Sequence, residues 1–553
     1  MSVKVSVVVP VYNPGSHIDD CIRSLLEQSL PTDEYEAIFV DDGSTDETPA
    51  RLDALAAEHD HVRVFHIPNS GWPGRPRNVG IDNARGEFVY FVDNDDWLGP
   101  EALERLYAYA VEHGSDVVIG KLVGHRRGIP KEIFRRSKPK AVLGQDPLLT
   151  LLTPHKLFRK AMLDKHEIRF PEGRRRLEDH LFVMKAYFAA DTISILADYP
   201  VYHWVRRDDD TNASVNRFDP KGYFDNVREV LDVVVANTEP GDLRDKLLAH
   251  WYTGKSLGRL GAGTLLGYPP DYRRELYDAI RGLALERFAP SVDRFLPPSF
   301  RPRSVLLRAG SLAGLEALAG AERGLTIEPT TSEVAWDGDV LQVRASARLV
   351  YADGRPVVFV RREGRLLWEL PVRLDVPVPD DALDMTSALA AARADVLVRS
   401  RELRDDYFVP GAWTASLEEI DADRVSLVVA VEARLDAQTA AAGAPLAKGT
   451  WDVLVRVAAC GWGPGARLSA ASAPGLGALE VGESGPDRRP VSPYWTVNGN
   501  LSIAVGTRRA PAPPPPPSAP APRPLPAPPA RGRAAWLPAP VRRRLRGLAR
   551  RLG

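Results

Sequence analysis

The 553-residue chain has only two cysteines, Cys21 and Cys460, which excludes both a disulfide framework and a cysteine-ligated zinc site. Eighteen apolar residues never run together, so no transmembrane helix is predicted. The opening, Met-Ser-Val-Lys-Val-Ser-Val-Val-Val-Pro, lacks the basic start, apolar stretch and small-residue cleavage site of a secretory leader. A cytoplasmic protein is therefore expected. Net charge is nearly absent as well, at −1, yet acidic residues vanish from Arg508 onward, where eleven arginines stand. Taking those eleven away leaves −12 on the rest, an acidic body joined to a basic tail.

What is present divides into four stretches. From residue 3 to about 120, apolar runs alternate with helical patterns. Strands are predicted at Val5–Val9, Ala37–Val40, Val62–His66 and Phe88–Val92. Helices are predicted at Ile18–Glu27, Thr48–Glu58, Pro76–Ala84 and Glu101–Glu112. That alternation implies a parallel sheet covered on both faces, with ligands beyond the carboxyl ends of its strands. Residues 221–325 read as a helical linker, with helical spacing over Phe224–Ala236, Leu243–Leu260, Tyr272–Arg287 and Val305–Arg323. From 326 to 506 the period falls to two, as in Leu341–Tyr351, and predicts a β-sandwich region. Residues 507–553 form a proline-rich linker and a basic end, expected to be extended and without a core.

Polar clusters follow three of the predicted strands: Asp41-Asp42-Gly43-Ser44, then Asn69-Ser70-Gly71 with Arg77-Asn78, then Asp93-Asn94-Asp95-Asp96. Chain direction places them on one sheet edge. A uracil base needs an acceptor for its N3–H, and a diphosphate needs a cation. Asp93 and Asp95, one residue apart, can serve ribose and metal. Their hard oxygens suit Mn2+ or Mg2+.

Four motifs carry a resemblance: Val-Val-Val-Pro-Val-Tyr-Asn (7–13), Val-Asp-Asp-Gly-Ser-Thr-Asp (40–46), Arg-Asn-Val-Gly (77–80) and Phe-Val-Asp-Asn-Asp-Asp-Trp-Leu (91–98). The sequence resembles glycosyltransferase family 2, the inverting nucleotide-sugar transferases of the α/β GT-A fold. More narrowly, residues 69–80 and the layout of the chain resemble bacterial poly(ribitol phosphate) N-acetylglucosaminyltransferases of wall teichoic acid. Trp72 stands where that group is expected to carry glycine.

The resemblance implies a domain over 1–220 that binds a nucleotide-sugar donor. Pro10 would meet the base through its backbone, Tyr12 would pack beside it, and Asp41 or Asp42 would accept its N3–H. Asn69 and Arg77 would line the uridine pocket. Asp93, Asn94 and Asp95 form the donor motif, with Asp93 on ribose or metal and Asp95 on the metal. Asp179, in Glu178-Asp179-His180, would be the catalytic base, with Glu178 orienting it or the acceptor. Arg207 and Ser214 would belong to a loop closing over the diphosphate. The implied reaction moves a hexose, N-acetylglucosamine from UDP, to a hydroxyl of an anionic cell-wall polymer. A capsular or lipid-linked glycan, and an inactive carbohydrate-binding scaffold, are the competing readings.

Blander roles stand beside these. The Asp41–Asp46 turn can cap the following helix, Glu178 and Asp179 can interact with a helix dipole, and His203 reads as a core histidine. Peripheral contact of the arginine tail with anionic membrane is set against a solvated tail. The β-sandwich is a candidate for homo-oligomerisation, and no nucleic-acid partner is expected.

Overall fold

The computed structural model describes residues 3–206, 218–402, 405–441, 443–469, 482–484 and 489–507. A nine-stranded sheet organises the first part: β1 (Val5–Val11), β2 (Tyr35–Asp41), β3 (Val62–His66), β4 (Phe88–Phe91), β5 (Trp97–Leu98), β6 (Val117–His125), β7 (Lys138–Ala141), β8 (Leu157–Arg159) and β9 (Ile193–Val205). Its order is β3-β2-β1-β4-β8-β6-β9-β5, with β7 on β9. β3, β2, β1 and β4 run parallel, and β8 lies antiparallel between β4 and β6. All seven residues of β1 are buried, as a strand covered on both faces requires. The helix Gly74–Asn83 lies close against it, and a Cβ at Gly80 would collide with the Val8 side chain.

The linker differs from the sequence reading in two places. The stretch read as one helix over Val305–Arg323 is two, Arg301–Ala309 and Leu312–Glu322. Gly310, at φ 85°, ends the first in the left-handed region, and Ser311 caps the second by accepting the Gly314 N–H. The stretch read over Leu243–Leu260 is helical only through Asp242–Trp251, then widens to a π turn at Tyr252–Ser256 and tightens to a 3-10 turn at Leu257–Leu260. Such insertions recur at functional sites.

Two antiparallel sheets follow. Thr326–Asp337, Val340–Val350, Arg424–Asp436, Val358–Arg362 and Arg365–Trp368 line up in the first, with Gly411–Glu419 added to Arg424–Asp436. The second orders Asp406–Val409, Arg393–Ser400, Gly449–Ala458, Leu501–Val505, Arg489–Trp495 and Gly482–Ser484, and Gly465–Arg467 adds to Gly449–Ala458. The alternation in Val340–Val350 buries Leu341, Val343, Ala345, Ala347 and Leu349. The second sheet docks on the first part through Arg135–Asp395 at 2.6 Å and Arg456–Glu132 at 2.8 Å. Among the described residues no helix is long and apolar enough to cross a membrane.

Candidate active site

The loops leaving β1, β2 and β3 build a shelf at the carboxyl edge of the sheet. Pro10 is buried and paired with Val40 in the ladder, while Tyr12 is half exposed. Asp41 and Asp42 are both buried and point to different partners. Asp41 accepts the Ser44 N–H at 2.9 Å and lies 2.9 Å from His66 Nδ1. Asp42 accepts the Ser70 N–H at 2.8 Å and the Ser70 hydroxyl at 2.9 Å. Asn69 donates its amide to the Asp42 carbonyl at 2.8 Å. Gly43, at φ 71°, presses against this loop, where a Cβ would come 2.7 Å from Asn69 N. Ser70 also lies 3.1 Å from the Trp72 carbonyl, which joins the shelf to a neighbouring cleft.

That cleft, of about 810 Å3, is lined by Asp93 and Asp95 from the sheet edge, by Arg77 from the helix Gly74–Asn83 and by Glu178 and Asp179 from a further helix. Arg127, Trp204 and the linker's His250, Lys255 and Arg259 complete it. Asp95 and Asp179 thus share one space; Asp41 and Asn69 stand beside it on the shelf and do not line it. Arg207 and Ser214 lie outside the described residues, as does the tail from Arg508.

Arg77, expected in the uridine pocket, is a buried guanidinium beneath the acidic groups. It donates to Asp93 Oδ1 at 2.8 Å and stands 3.7 Å from Glu178. His155 Nε2 is 3.1 Å from Asp93 Oδ2. Burial pushes the Asp93 carboxyl up, but Arg77 and then His155 outweigh it and hold it well below the usual carboxylate range. Asp96 is turned inward, accepting the Tyr202 hydroxyl at 2.6 Å and the Val205 N–H at 2.7 Å. Burial, then the charges of Asp95 and Asp93, push Asp96 well up. Asp93, Asp96 and His155 bring metal-capable atoms within 4.8 Å of one another. The sequence reading named Asp93 and Asp95; Asp95 is not in this group, and its place is on the cleft wall. Arg77→Ala should destabilise the fold by about 3 kcal/mol, because the buried Glu178 and the partly exposed Asp93 lose the guanidinium they share. The midpoint of urea unfolding measures it.

Glu178 and Asp179 open the helix Glu178–Ala189, preceded by Leu177 at φ 62°, a left-handed conformation rare for a residue with a branched side chain. A helix N-terminus favours carboxylate charge, yet here desolvation wins. Burial, then the charge of Asp179, pushes Glu178 up to about 7, against Arg77. Burial raises Asp179 too. Because the folded value of Glu178 lies above its ordinary 4.5, its contribution to stability is full below 4.5 and lost as pH rises through about 7. The slope for one such group is at most about 1.4 kcal/mol per pH unit. Thermal unfolding followed from pH 5 to 7 should show it, and Glu178→Gln should remove it.

Residues 6–170 match the family described as Glycosyl transferase family 2, and 220–319 match the Glycosyl transferase TarS linker domain. The chain is 34% identical over 236 residues to the poly(ribitol-phosphate) beta-N-acetylglucosaminyltransferase TarP of Staphylococcus aureus, covering 42% of this chain and 72% of that protein. The chain belongs to glycosyltransferase family 2. It is also 34% identical over 315 residues to the poly(ribitol-phosphate) beta-glucosyltransferase of Bacillus spizizenii, covering 56% of this chain and 49% of that protein. The chain therefore spans about half the length of that relative. The structure of S. aureus TarS 1-349 in complex with UDP-GlcNAc superposes with a TM-score of 0.54 at 26% identity, over 68% of this chain and all of that one.

Within this family 2 site, several residues escaped the sequence reading. Asp96 is the last residue of an acidic run whose first and third members drew attention. His155 reaches Asp93 across 62 residues, which no local spacing announces. Lys255 sits in the π turn, where a regular helical period gives no warning. His203 is half-buried, 2.9 Å from His125 and stacked on Trp97, with desolvation pushing it down to about 3.

Proposed function

We propose that the protein transfers a hexose from a UDP-linked donor to a hydroxyl of a ribitol-phosphate polymer, inverting the anomeric centre. The donor sugar is glucose or N-acetylglucosamine, the two sugars named for the relatives. The observation that carries this reading is one cleft in which Asp95 and the Glu178-Asp179 pair face the cationic Arg127, Lys255 and Arg259. Carboxylates beside an anionic substrate repel it unless positive charge is supplied. A polymer bearing one phosphate per unit suits a wall with arginine and lysine from both the loop after β6 and the linker.

In the reaction Asp179 takes the proton of the attacking hydroxyl, the hydroxyl oxygen bonds to the anomeric carbon, and the bond from that carbon to the diphosphate oxygen breaks, releasing UDP. Arg77 keeps Asp93 ionised, and the shelf of Asp41, Asp42 and Asn69 adjoins the cleft where the nucleoside would lie. The residues fit a Mn2+ or Mg2+ in kind: Asp93 and Asp95 offer hard oxygens, and His155 Nδ1 is buried without a hydrogen-bond partner among the described residues. Asp93 and Asp95 would hold the ion, whose positive charge would stabilise the departing diphosphate.

The test is transfer from UDP-glucose and UDP-N-acetylglucosamine, with Mn2+, to purified poly(ribitol phosphate). A neutral glycan accepted in preference to the phosphate polymer would refute the acceptor. Absence of both transfer and donor hydrolysis would favour an inactive binding protein.

A further inference from the structure

A second cavity, of about 280 Å3, opens between β6 with the loop after it and the strand Asp406–Val409 of the second β-sheet. Five cationic side chains, Lys121, Arg126, Arg127, Lys131 and Arg399, line it with a single carboxylate, Asp406. Asp406 is already occupied, since Arg399 donates to it at 2.8 Å and Lys131 pairs with it. Lys121 is set differently. Its ammonium stands 5.4 Å from the centre of the Tyr407 ring, and among the described residues it forms no ion pair. Burial pushes it down to about 8, against the pull of Asp198. Arg127 lies 3.2 Å from the centre of the Trp204 ring and donates to the Val205 carbonyl at 3.4 Å. A cation drawn out of water without a counter-charge is unfavourable, and an anion entering the cavity relieves that.

The cavity has a direct relation to the catalytic cleft: Arg127 and Gly128 line both. A chain with a negative charge on every unit, seated in the cleft, meets the same loop wall on its way out. We propose that the cavity between β6 and Asp406–Val409 is a second phosphate-binding site, which holds a phosphodiester of the acceptor while a hydroxyl elsewhere on the same chain reacts. This rests on the reading of the acceptor as a ribitol-phosphate polymer. It makes the β-sandwich region a part of acceptor recognition, with Lys121 and Tyr407 meeting at the junction.

The experiment uses the full chain and Lys121→Met, which keeps the side chain's length and removes its charge. Transfer is measured to poly(ribitol phosphate) and to single-unit ribitol 5-phosphate, with UDP-hexose hydrolysis alongside. KM for the polymer should rise about tenfold, the loss of one charge-assisted hydrogen bond. KM for the single unit, kcat and donor hydrolysis should stay put, and Lys121→Arg should restore the polymer KM. Inorganic phosphate should compete with polymer in the wild type and lose that effect in Lys121→Met. An unchanged polymer KM in Lys121→Met overturns the proposal, and so does an equal rise for both acceptors. Phosphate binding that leaves polymer KM untouched assigns the cavity to free phosphate and overturns it too. Failure of the wild type to use ribitol-phosphate acceptors at all would instead remove the functional reading beneath it.

Discussion

Asp179→Asn is expected to lower the rate of sugar transfer by about 10²–10⁴-fold, the range removed when a positioned general base is lost. Binding of UDP-hexose should persist. Two carboxylates are adjacent, and their surroundings separate them. Glu178 is buried with Arg77 3.7 Å away, which makes it part of the Arg77–Asp93 cluster. Asp179 is less buried, lines the cleft, and has only Oδ1 engaged among the described residues, by the His180 N–H at 2.8 Å. That leaves its second oxygen to receive a proton from a hydroxyl in the cleft. Single-turnover transfer with labelled donor, beside calorimetric donor binding, checks the assignment. Full activity in Asp179→Asn together with an inactive Glu178→Gln would exchange the two roles.

The parts of this molecule legible in sequence are those whose causes are local. Thr48–Glu58 and Val62–His66 form as read, because an apolar run or a helical stripe bounded by polar residues needs no distant partner to specify it. The three clusters after β2, β3 and β4 reach one edge because parallel strands share a direction. Illegible were the elements whose identity depends on the far side of the sheet. β8 is three residues long, and it exists because β4 and β6 flank it. It also follows His155, whose partner Asp93 was noticed without it. The two-sided character of the Asp41-Asp42 pair was foreseeable from strand geometry, but the partners, His66 and Ser70, were not. Lys121 has the same history: within β6 it reads as one polar residue in an apolar strand, and only Tyr407, far along the chain, gives it a setting.

Asp95→Asn should abolish the stabilisation of the protein by UDP that depends on Mn2+. In the wild type, ligand at a hundred times its Kd adds about 2.7 kcal/mol to the folded state, readily seen as a rise in Tm. Chelation with EDTA should erase the same rise. Of the neighbouring carboxylates, Asp93 has one oxygen on Arg77 and the other on His155, and Asp96 has its oxygens on Tyr202 and Val205. Asp95 lies on the cleft wall beside the space a diphosphate would fill. Asp96→Asn is the informative contrast: it replaces an acceptor inside a buried network, so it should lower Tm in the absence of any ligand. If Asp95→Asn keeps its Mn2+-dependent rise while Asp96→Asn loses it, the ion belongs with Asp93, Asp96 and His155 deeper in the sheet edge, and the donor diphosphate would have to sit closer to Tyr202 than the cleft now suggests.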